Sequence, residues 1–550
     1  MRRRPARAEL LVLLAILVLA AVTRLPGLET RGPFDADQGQ EMLVLAGFLG
    51  RGEVPLLGPP TFAGTFHHGA VYYYLLAPAV AVFGPDPIAV TGWIALFGIG
   101  AVAATWWLAR MIGGPVAAAA AGLLAAVSPS GIDASTFIWN PNLIPFASAL
   151  AFAGALRAWQ TRSPRWWLLA ATGAMVAMQC HVVGVVVVPP LAAVFVADVR
   201  RRRRIGETLR PLLRAGIGAL LIIVAGYVPL MIHDLGHDFS ETRAILAYLA
   251  GGGGSATAGI VDRVVTVGLR SVTWPLAGLI TDRPAVSMVI AGVVAALMAI
   301  AAIAGRRADR AAARWLIGTV VWSVVALAVF APSLAVVTLG LPNDHYHAFL
   351  DPLVIALVGV GIARLADGLR VGRAGETRAA GETRAAGMAP GAADEATGGT
   401  TRPAPAAYLP RAVAIGVTGL LVAVCVTAWP PAVSPDGGWQ AAQGAAAHIE
   451  SSSAGTPYAL VGIPDFKSVD SVRFPLSLLG ADPPGPEALD GADPPTRVTI
   501  VCDPLFADVV GAACGGPAET AWLRGRGLDL PLLGVAEEGS RRIVSSYGTP

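Results

Sequence analysis

Three carboxylates fall within seven residues in Phe34-Asp35-Ala36-Asp37-Gln38-Gly39-Gln40-Glu41, directly after the first apolar run of the chain. A carboxylate within hydrogen-bond reach of a hydroxyl can take its proton, so Asp37, Asp35 and Glu41 are candidates for a general base. Together they can also supply some of the oxygen ligands of a divalent cation, although nothing in their spacing selects an ion. The stretch Asp37 to Leu49 has apolar residues at helical spacing and ends in Gly50-Arg51-Gly52, so Asp35 or Asp37 stands at a helix N-terminus. An aspartate there also serves as a plain cap, worth about 1 kcal/mol. Three acids on a short helix beside a bilayer favour chemistry over capping, because a carboxylate kept at a membrane usually faces a cavity.

A second polar cluster follows in Phe66-His67-His68-Gly69-Ala70-Val71-Tyr72-Tyr73-Tyr74. His67 and His68 can hydrogen-bond a sugar or a phosphate. Tyr72 to Tyr74 can stack on a sugar face, but tyrosine is also ordinary at a membrane interface. Further along, Asp133 and Asn140 lie between Ser128-Pro129 and Asn140-Pro141-Asn142, His181 sits at a tight turn, and His345-Tyr346-His347 opens a late apolar run. Arg243, Arg263, Arg270 and Arg283 are candidates for gripping an anionic partner, since a guanidinium binds phosphate through two parallel hydrogen bonds.

These residues need a membrane scaffold to hold them. Of 550 residues, 55% are hydrophobic and only 14% charged, where a soluble chain carries roughly a quarter. Eleven runs are long and apolar enough to span a bilayer. They lie at 8–27, 87–109, 114–129, 141–159, 166–181, 183–199, 213–233, 284–305, 314–338, 346–366 and 411–430, and the pair around Gln179-Cys180-His181 can also form one bent unit. The first run lacks a small-residue cleavage site and reads as a retained helix.

With the N-terminus inside, the basic clusters at Arg110, Arg157 to Arg165, 200–204, Arg306 to Arg310 and Arg364 to Arg370 all fall on the cytoplasmic side. The net charge of +3 is almost wholly arginine, with Lys467 the single lysine. Its placement at span ends rather than on one basic face argues against a nucleic-acid partner. The expected outer parts are a long first loop (28–86), a short loop at 129–140, a loop at 234–283 and the C-terminal region. Domains follow as a transmembrane module at 1–370, a disordered cytoplasmic linker at 371–407, a last span at 408–430 and an extracytoplasmic domain at 431–550. The linker reading rests on a Gly- and Ala-rich near repeat. Gly251 to Gly254 mark a flexible point in the 234–283 loop.

The fold class expected is thus an all-α polytopic membrane protein of about eleven spans with a small α/β C-terminal domain, in which 458–463 and 498–502 are strands. Cys180 and Cys425 lie in apolar runs as packing residues. Cys502 and Cys514 lie together in the outer region, where a disulfide between them is expected.

Taken together, these residues resemble the GT-C superfamily of integral-membrane glycosyltransferases, particularly the family-39 branch of protein O-mannosyltransferases and lipid A aminoarabinose transferases. The resemblance rests on Asp37-Gln38-Gly39-Gln40-Glu41 in the first outer loop, on Gly58-Pro59-Pro60 followed by His67-His68-Gly69, on the Ser128-Pro129 and Asn140-Pro141 bracket, and on His345-Tyr346 ahead of Asp351-Pro352. It covers roughly 8–366. Many members carry adjacent Asp-Glu where this chain has Asp37-Gln38, so either Glu41 or Asp35 is the second acid.

The resemblance implies an inverting glycosyltransferase in the plasma membrane, using a polyprenyl-phosphate sugar and an extracytoplasmic glycan, lipid or protein hydroxyl as acceptor. Asp37 would be the base. Asp35 and Glu41 would assist, and His67, His68, Tyr72, Asp133, Asn140, His181, Arg243, His345 and Tyr346 would bind substrate. No cofactor is implied with certainty, a divalent metal being compatible. A multispanning transporter or lipid flippase is the alternative, but the polar clusters lie at span ends rather than at mid-membrane.

Overall fold

The computed structural model describes all residues except 1–5, 62–65, 252–257, 279–281, 332–343, 369–408, 454, 492–493 and 550. The first half is a bundle of α1 (Arg7–Arg24), α2 (Leu28–Arg31), α3 (Ala36–Arg51), α4 (Val71–Phe83), α5 (Pro87–Gly113), α6 (Pro115–Val127), α7 (Pro129–Asp133), α8 (Ile144–Thr161) and α9 (Trp166–Cys180). It continues with α10 (Val188–Arg204), α11 (Arg210–Gly236), α12 (Ser240–Ala250), α13 (Ile260–Ala277), α14 (Pro284–Ile303), α15 (Arg307–Phe330), α16 (Asp351–Ala366) and α17 (Leu409–Thr427). Between α3 and α4 a short hairpin pairs β1 (Leu57–Pro60) with β2 (His67–Gly69).

Among the described residues, seven helical stretches are long and apolar enough to cross a membrane: α5, Val182–Arg204, α11, α14, α15, His345–Ala366 and α17. The other predicted runs form α1, α6, α8 and α9, which are shorter or more polar. The chain breaks between α9 and α10, where His181 is extended (φ −157°, ψ 135°). The stretch read as a loop at 234–283 differs from expectation, because it contains α12 and α13. Asp262, Arg263 and Arg270 lower the hydropathy of α13, yet Val267, Leu276 and Ala277 pack into the bundle. The expected linker at 371–407, and Gly252 to Gly254, lie outside the described residues.

Small residues let the helices approach closely. A Cβ added at Gly173 would lie 2.4 Å from the Ala147 carbonyl oxygen, so α9 rests directly on α8. Another at Gly359 would lie 2.6 Å from the Ala117 oxygen, which puts α16 against α6. Helix α16 is apolar all round and buried from Asp351 to Arg364, marking it as the centre of the bundle. In contrast, α11 presents Leu220, Leu221, Met231 and Leu235 outward.

The bundle has two chemically distinct ends. One gathers arginines paired with acids: Arg110 with Glu9 at 2.8 Å, Arg364 with Asp309 at 3.0 Å and Arg202 with Asp198 at 3.2 Å. The other carries α2, α3, the hairpin, α7 and the C-terminal domain.

That domain comprises α18 (Gly438–Ser453), β3 (Tyr458–Ile463), α19 (Asp470–Leu478), β4 (Arg497–Cys502), α20 (Ala507–Val510), α21 (Pro517–Gly525), β5 (Leu532–Glu537) and β6 (Ile543–Gly548). The strand order is β3-β4-β6-β5, with β3 and β4 parallel and the other pairs antiparallel. Alternation along β3 sends Tyr458 and Leu460 towards α18 and α19, while Ala459, Val461 and Ile463 pack against Ala518 and Leu523 of α21. A strand covered on both faces reads as an unbroken apolar run, which is why this one was visible in the sequence.

Candidate active site

Helix α3 starts where the sequence places it, and its first turn holds the acids in three different environments. Asp35 is the N-cap: its Oδ1 accepts the Ala36 N–H at 2.8 Å, and Gln38 Oε1 accepts the Asp35 N–H at 2.9 Å. Gln38, the departure from the Asp-Glu pattern, also donates through Nε2 to the Ile138 carbonyl at 2.9 Å, tying the helix to the segment between α7 and α8. The Lys467 ammonium lies 2.5 Å from Asp35 Oδ2, and Arg541 lies 3.5 Å from the same oxygen. Burial pushes the Asp35 carboxyl up, but the Lys467 charge and hydrogen bond, then Arg541 and the Ala36 N–H, outweigh it and hold the group below the usual carboxylate range.

Asp37 has no hydrogen bond or ion pair among the described residues, and its side chain opens into a cavity of 640 Å³. The surrounding protein, and then the Asp35 charge, push its carboxyl above the ordinary range, with Lys467 opposing. Glu41 stands one turn further on, buried away from the cavity. It accepts a hydrogen bond from the Tyr72 hydroxyl, and burial raises its carboxyl well above the ordinary value.

The three acids therefore do not converge as a cation shell. One is bound to ammonium and backbone N–H, one is free, and one is committed to a tyrosine. Among the described residues, the one cluster of potential metal-binding atoms is Cys502, Cys514 and Glu519, where both sulfurs are consumed by the Cys502–Cys514 disulfide.

The cavity brings together Asp35, Asp37, His68, Asp133, Asn140, His181, His345 and Tyr346 from six separate segments. Four other candidates lie elsewhere. His67 is held by Glu241 at 2.9 Å, Glu41 and Tyr72 face each other behind α3, and Arg243 on α12 is not among the lining residues. Arg263, Arg270 and Arg283 do not line the cavity either. Its cations are Arg24, Arg31 and Arg541, which the sequence reading passed over. Arg31 had a signal, lying six residues ahead of Asp37. Arg541 had none, because its approach depends on how the C-terminal domain docks.

The imidazoles are set by backbone donors. Val182 N–H points to His68 Nδ1 at 3.3 Å, and Val183 N–H to His181 Nδ1 at 3.3 Å. A backbone N–H only donates, so each neutral ring accepts at Nδ1 and carries its proton on Nε2. Burial, then neighbouring imidazole charge, pushes His68 down to about 3 and His181 well below its ordinary value, so both rings are neutral. Neither Nε2 has a partner among the described residues, leaving two N–H donors for a ligand. The His68 and His181 rings are 4.5 Å apart, and His181 lies 4.8 Å from Tyr346. Asn140 turns its amide to the Cys180 carbonyl at 2.5 Å, bracing the loop under His181. Across the cavity, burial raises the Asp133 carboxyl to about 6, with Arg31 opposing.

Residues 67–228 match the family described as dolichyl-phosphate-mannose-protein mannosyltransferase. No curated protein matches the chain by sequence. Among solved structures, it is similar to ArnT from Cupriavidus metallidurans in the apo state, with a TM-score of 0.59, 14% identity and 98% of each chain covered. It is also similar to the same protein bound to undecaprenyl phosphate, with a TM-score of 0.56, 15% identity and 98% of each chain covered. The chain thus has the fold seen in ArnT, from its first helix to its C-terminal domain.

Proposed function

We propose that the protein is an inverting glycosyltransferase that moves a sugar from a polyprenyl-phosphate donor to an acceptor hydroxyl on the extracytoplasmic side, with Asp37 as general base. The observation that carries this reading is the state of Asp37: a carboxylate with no partner among the described residues, open to a large cavity lined by arginine and neutral imidazole donors. The structure of ArnT with undecaprenyl phosphate supports a lipid-phosphate donor for a chain of this fold. The N-terminus is proposed to lie in the cytoplasm, with the arginine-rich end of the bundle, and the cavity and residues 431–550 outside.

On this reading the acceptor hydroxyl gives its proton to Asp37 as its oxygen bonds to the anomeric carbon. The bond from that carbon to the phosphate oxygen breaks, and the electron pair leaves with the lipid phosphate. Attack opposite the leaving group inverts the sugar. The departing phosphate gains negative charge, which Arg31 and the Nε2–H groups of His68 and His181 are suited to receive. Holding donor and acceptor in one cavity turns an encounter into an oriented step.

The test is transfer from radiolabelled polyprenyl-phosphate sugars in membranes containing wild type or Asp37→Asn at equal protein level. Labelled product from the wild type that falls by about 10²-fold or more in the variant is expected. Equal product from both removes Asp37 as base, and no product from any donor overturns the reading.

A further inference from the structure

We propose that the C-terminal domain is part of the catalytic unit, with Lys467 and Arg541 as positioning residues that neutralise Asp35 and leave Asp37 alone as the proton acceptor. The inference rests on the glycosyltransferase reading above and adds two residues from a separate domain to its site.

The geometry is a square of two cations and two carboxylates. Lys467 bridges Asp35 at 2.5 Å and Asp503 at 3.3 Å, and Arg541 bridges Asp503 at 2.9 Å and Asp35 at 3.5 Å. Asp503 is buried beside the end of β4, and its Oδ1 also accepts the Leu505 N–H at 3.0 Å. Three of these four residues belong to the C-terminal domain, and Arg541 itself lines the cavity.

The docking that brings them there is built, not incidental. Phe34, the residue before Asp35, is clamped on both sides of its backbone. Its N–H donates to Asp436 at 2.9 Å, and its carbonyl accepts from Arg542. Its ring packs against Trp439 at 4.7 Å and Phe474 at 6.2 Å. One turn into α3, a Cβ at Gly39 would lie 2.1 Å from the Asp470 carbonyl oxygen, so the helix touches the domain at a point with no room for a side chain. The first turn of α3 is therefore held by residues four hundred positions away.

The consequence is electrostatic. Asp35 and Asp37 are two residues apart on one helical turn, and two adjacent carboxylates repel until one takes a proton. Lys467 and Arg541 remove that conflict at Asp35. The other charged or titratable groups around Asp37 are Glu41 on its own helix, Tyr73 on α4, Arg24, Arg31, His68, Asp133, His181, His345, Tyr346, Asp351 and Asp436 around the cavity, and Asp503 behind the cations. Removing Lys467 takes away a positive charge that opposes the rise of the Asp37 carboxyl, so that carboxyl rises further. A base must be ionised to work, so the acid limb of the rate profile moves to higher pH.

The experiment uses the full-length protein in membranes, with the polyprenyl-phosphate sugar that supports wild-type transfer. The pH dependence of kcat/KM is compared for wild type, Asp37→Asn, Lys467→Met, Lys467→Arg and Arg541→Gln. Lys467→Met is expected to shift its acid limb upward by a measurable fraction of a pH unit, so that its loss of kcat/KM is greatest on that limb and shrinks as pH rises. Arg541→Gln should shift it less, and Lys467→Arg should keep the wild-type limb. If Lys467→Met fails to fold, as judged by thermal melting, Arg541→Gln carries the test alone. An inactive Asp37→Asn with unshifted limbs in the Lys467 and Arg541 variants overturns this inference and leaves the base assignment standing. An active Asp37→Asn, or no wild-type transfer, overturns both.

Discussion

The Lys467 ammonium and the Asp35 carboxylate meet at 2.5 Å across 432 residues of sequence, and that contact gives different surroundings to two aspartates that look alike in the chain. Asp35 is capped, paired and held ionised. Asp37, two residues on, has no partner among the described residues and is raised by burial and then by its neighbour's charge. Position on one helical turn, not residue type, pairs one carboxylate and leaves the other without a partner among the described residues.

Asp35→Asn is accordingly expected to behave differently from Asp37→Asn. Asparagine caps a helix nearly as well as aspartate, so α3 should still form, although the ion pairs of Asp35 with Lys467 and Arg541 are lost. Removing the negative charge lowers the Asp37 carboxyl, and the acid limb of kcat/KM should move to lower pH while neutral-pH transfer stays within about tenfold of wild type. A pH–rate profile for purified protein checks it. Loss as complete as in Asp37→Asn would make Asp35 a reacting group and reverse the assignment.

Much of this was legible in the sequence, and the limits were physical. A helix over Asp37 to Leu49 followed from its apolar spacing and its Gly50-Arg51-Gly52 stop, within the observed Ala36–Arg51, and β3 from a run that needs cover on both faces. The cavity residues on the first and second loops were found because polar side chains stand out beside apolar spans. Arg541 was not found, since the contact depends on tertiary docking that no local pattern encodes. Helix α13 was missed for the opposite reason: its charged residues disguise a helix whose apolar stripe packs in the bundle. Glu41 and Tyr72 were singled out by type, but their mutual hydrogen bond turns both away from the cavity.

His181 offers a test of the donor assignment. Its Nδ1 is taken by the Val183 N–H, so Nε2–H is the group it can offer to a ligand. Glutamine can place an amide N–H near the Nε2 position, whereas phenylalanine keeps the ring and loses the donor. His181→Phe should cost about a hundred- to a thousandfold in kcat, the scale of one lost donor to developing charge, and His181→Gln should recover part of it. Steady-state kinetics with the lipid donor resolves this. A loss in KM alone, equal in both variants, would mean that His181 shapes the cavity without serving the leaving phosphate.

Asp133 predicts a pH-dependent stability. Its carboxyl titrates at about 6 in the folded protein against 3.8 as the reference, because burial disfavours the charge. The folded state thus binds the extra proton between those values. Stability from this group is present below about pH 4 and is lost as pH rises through 6, a difference of about 3 kcal/mol. Asp133→Asn removes the titration. Wild type should therefore melt at a higher temperature at pH 5 than at pH 7, by a margin that shrinks in the variant. Parallel melting curves at both pH values for the two proteins would refute the burial argument.

The Cys502–Cys514 disulfide should report on the site from a distance. It closes a loop with a sequence separation of 12 at the end of β4, and Cys502 directly precedes Asp503, the residue that holds Arg541 at 2.9 Å. A cross-link over a loop of this length is worth about 3 kcal/mol, largely by restricting the unfolded chain. Replacing both cysteines by serine should lower the melting temperature of the full-length protein. At a temperature well below that melting, transfer should persist, because the Asp503 N–H is also fixed by the Ile463 carbonyl at 3.0 Å. As temperature rises, transfer should fail earlier in the variant than in wild type, and a reducing agent should bring wild type towards the same behaviour. Melting followed alongside transfer separates the two effects. Loss of transfer at low temperature with melting unchanged would mean that the disulfide acts on the geometry of the site rather than on the stability of the domain that completes it.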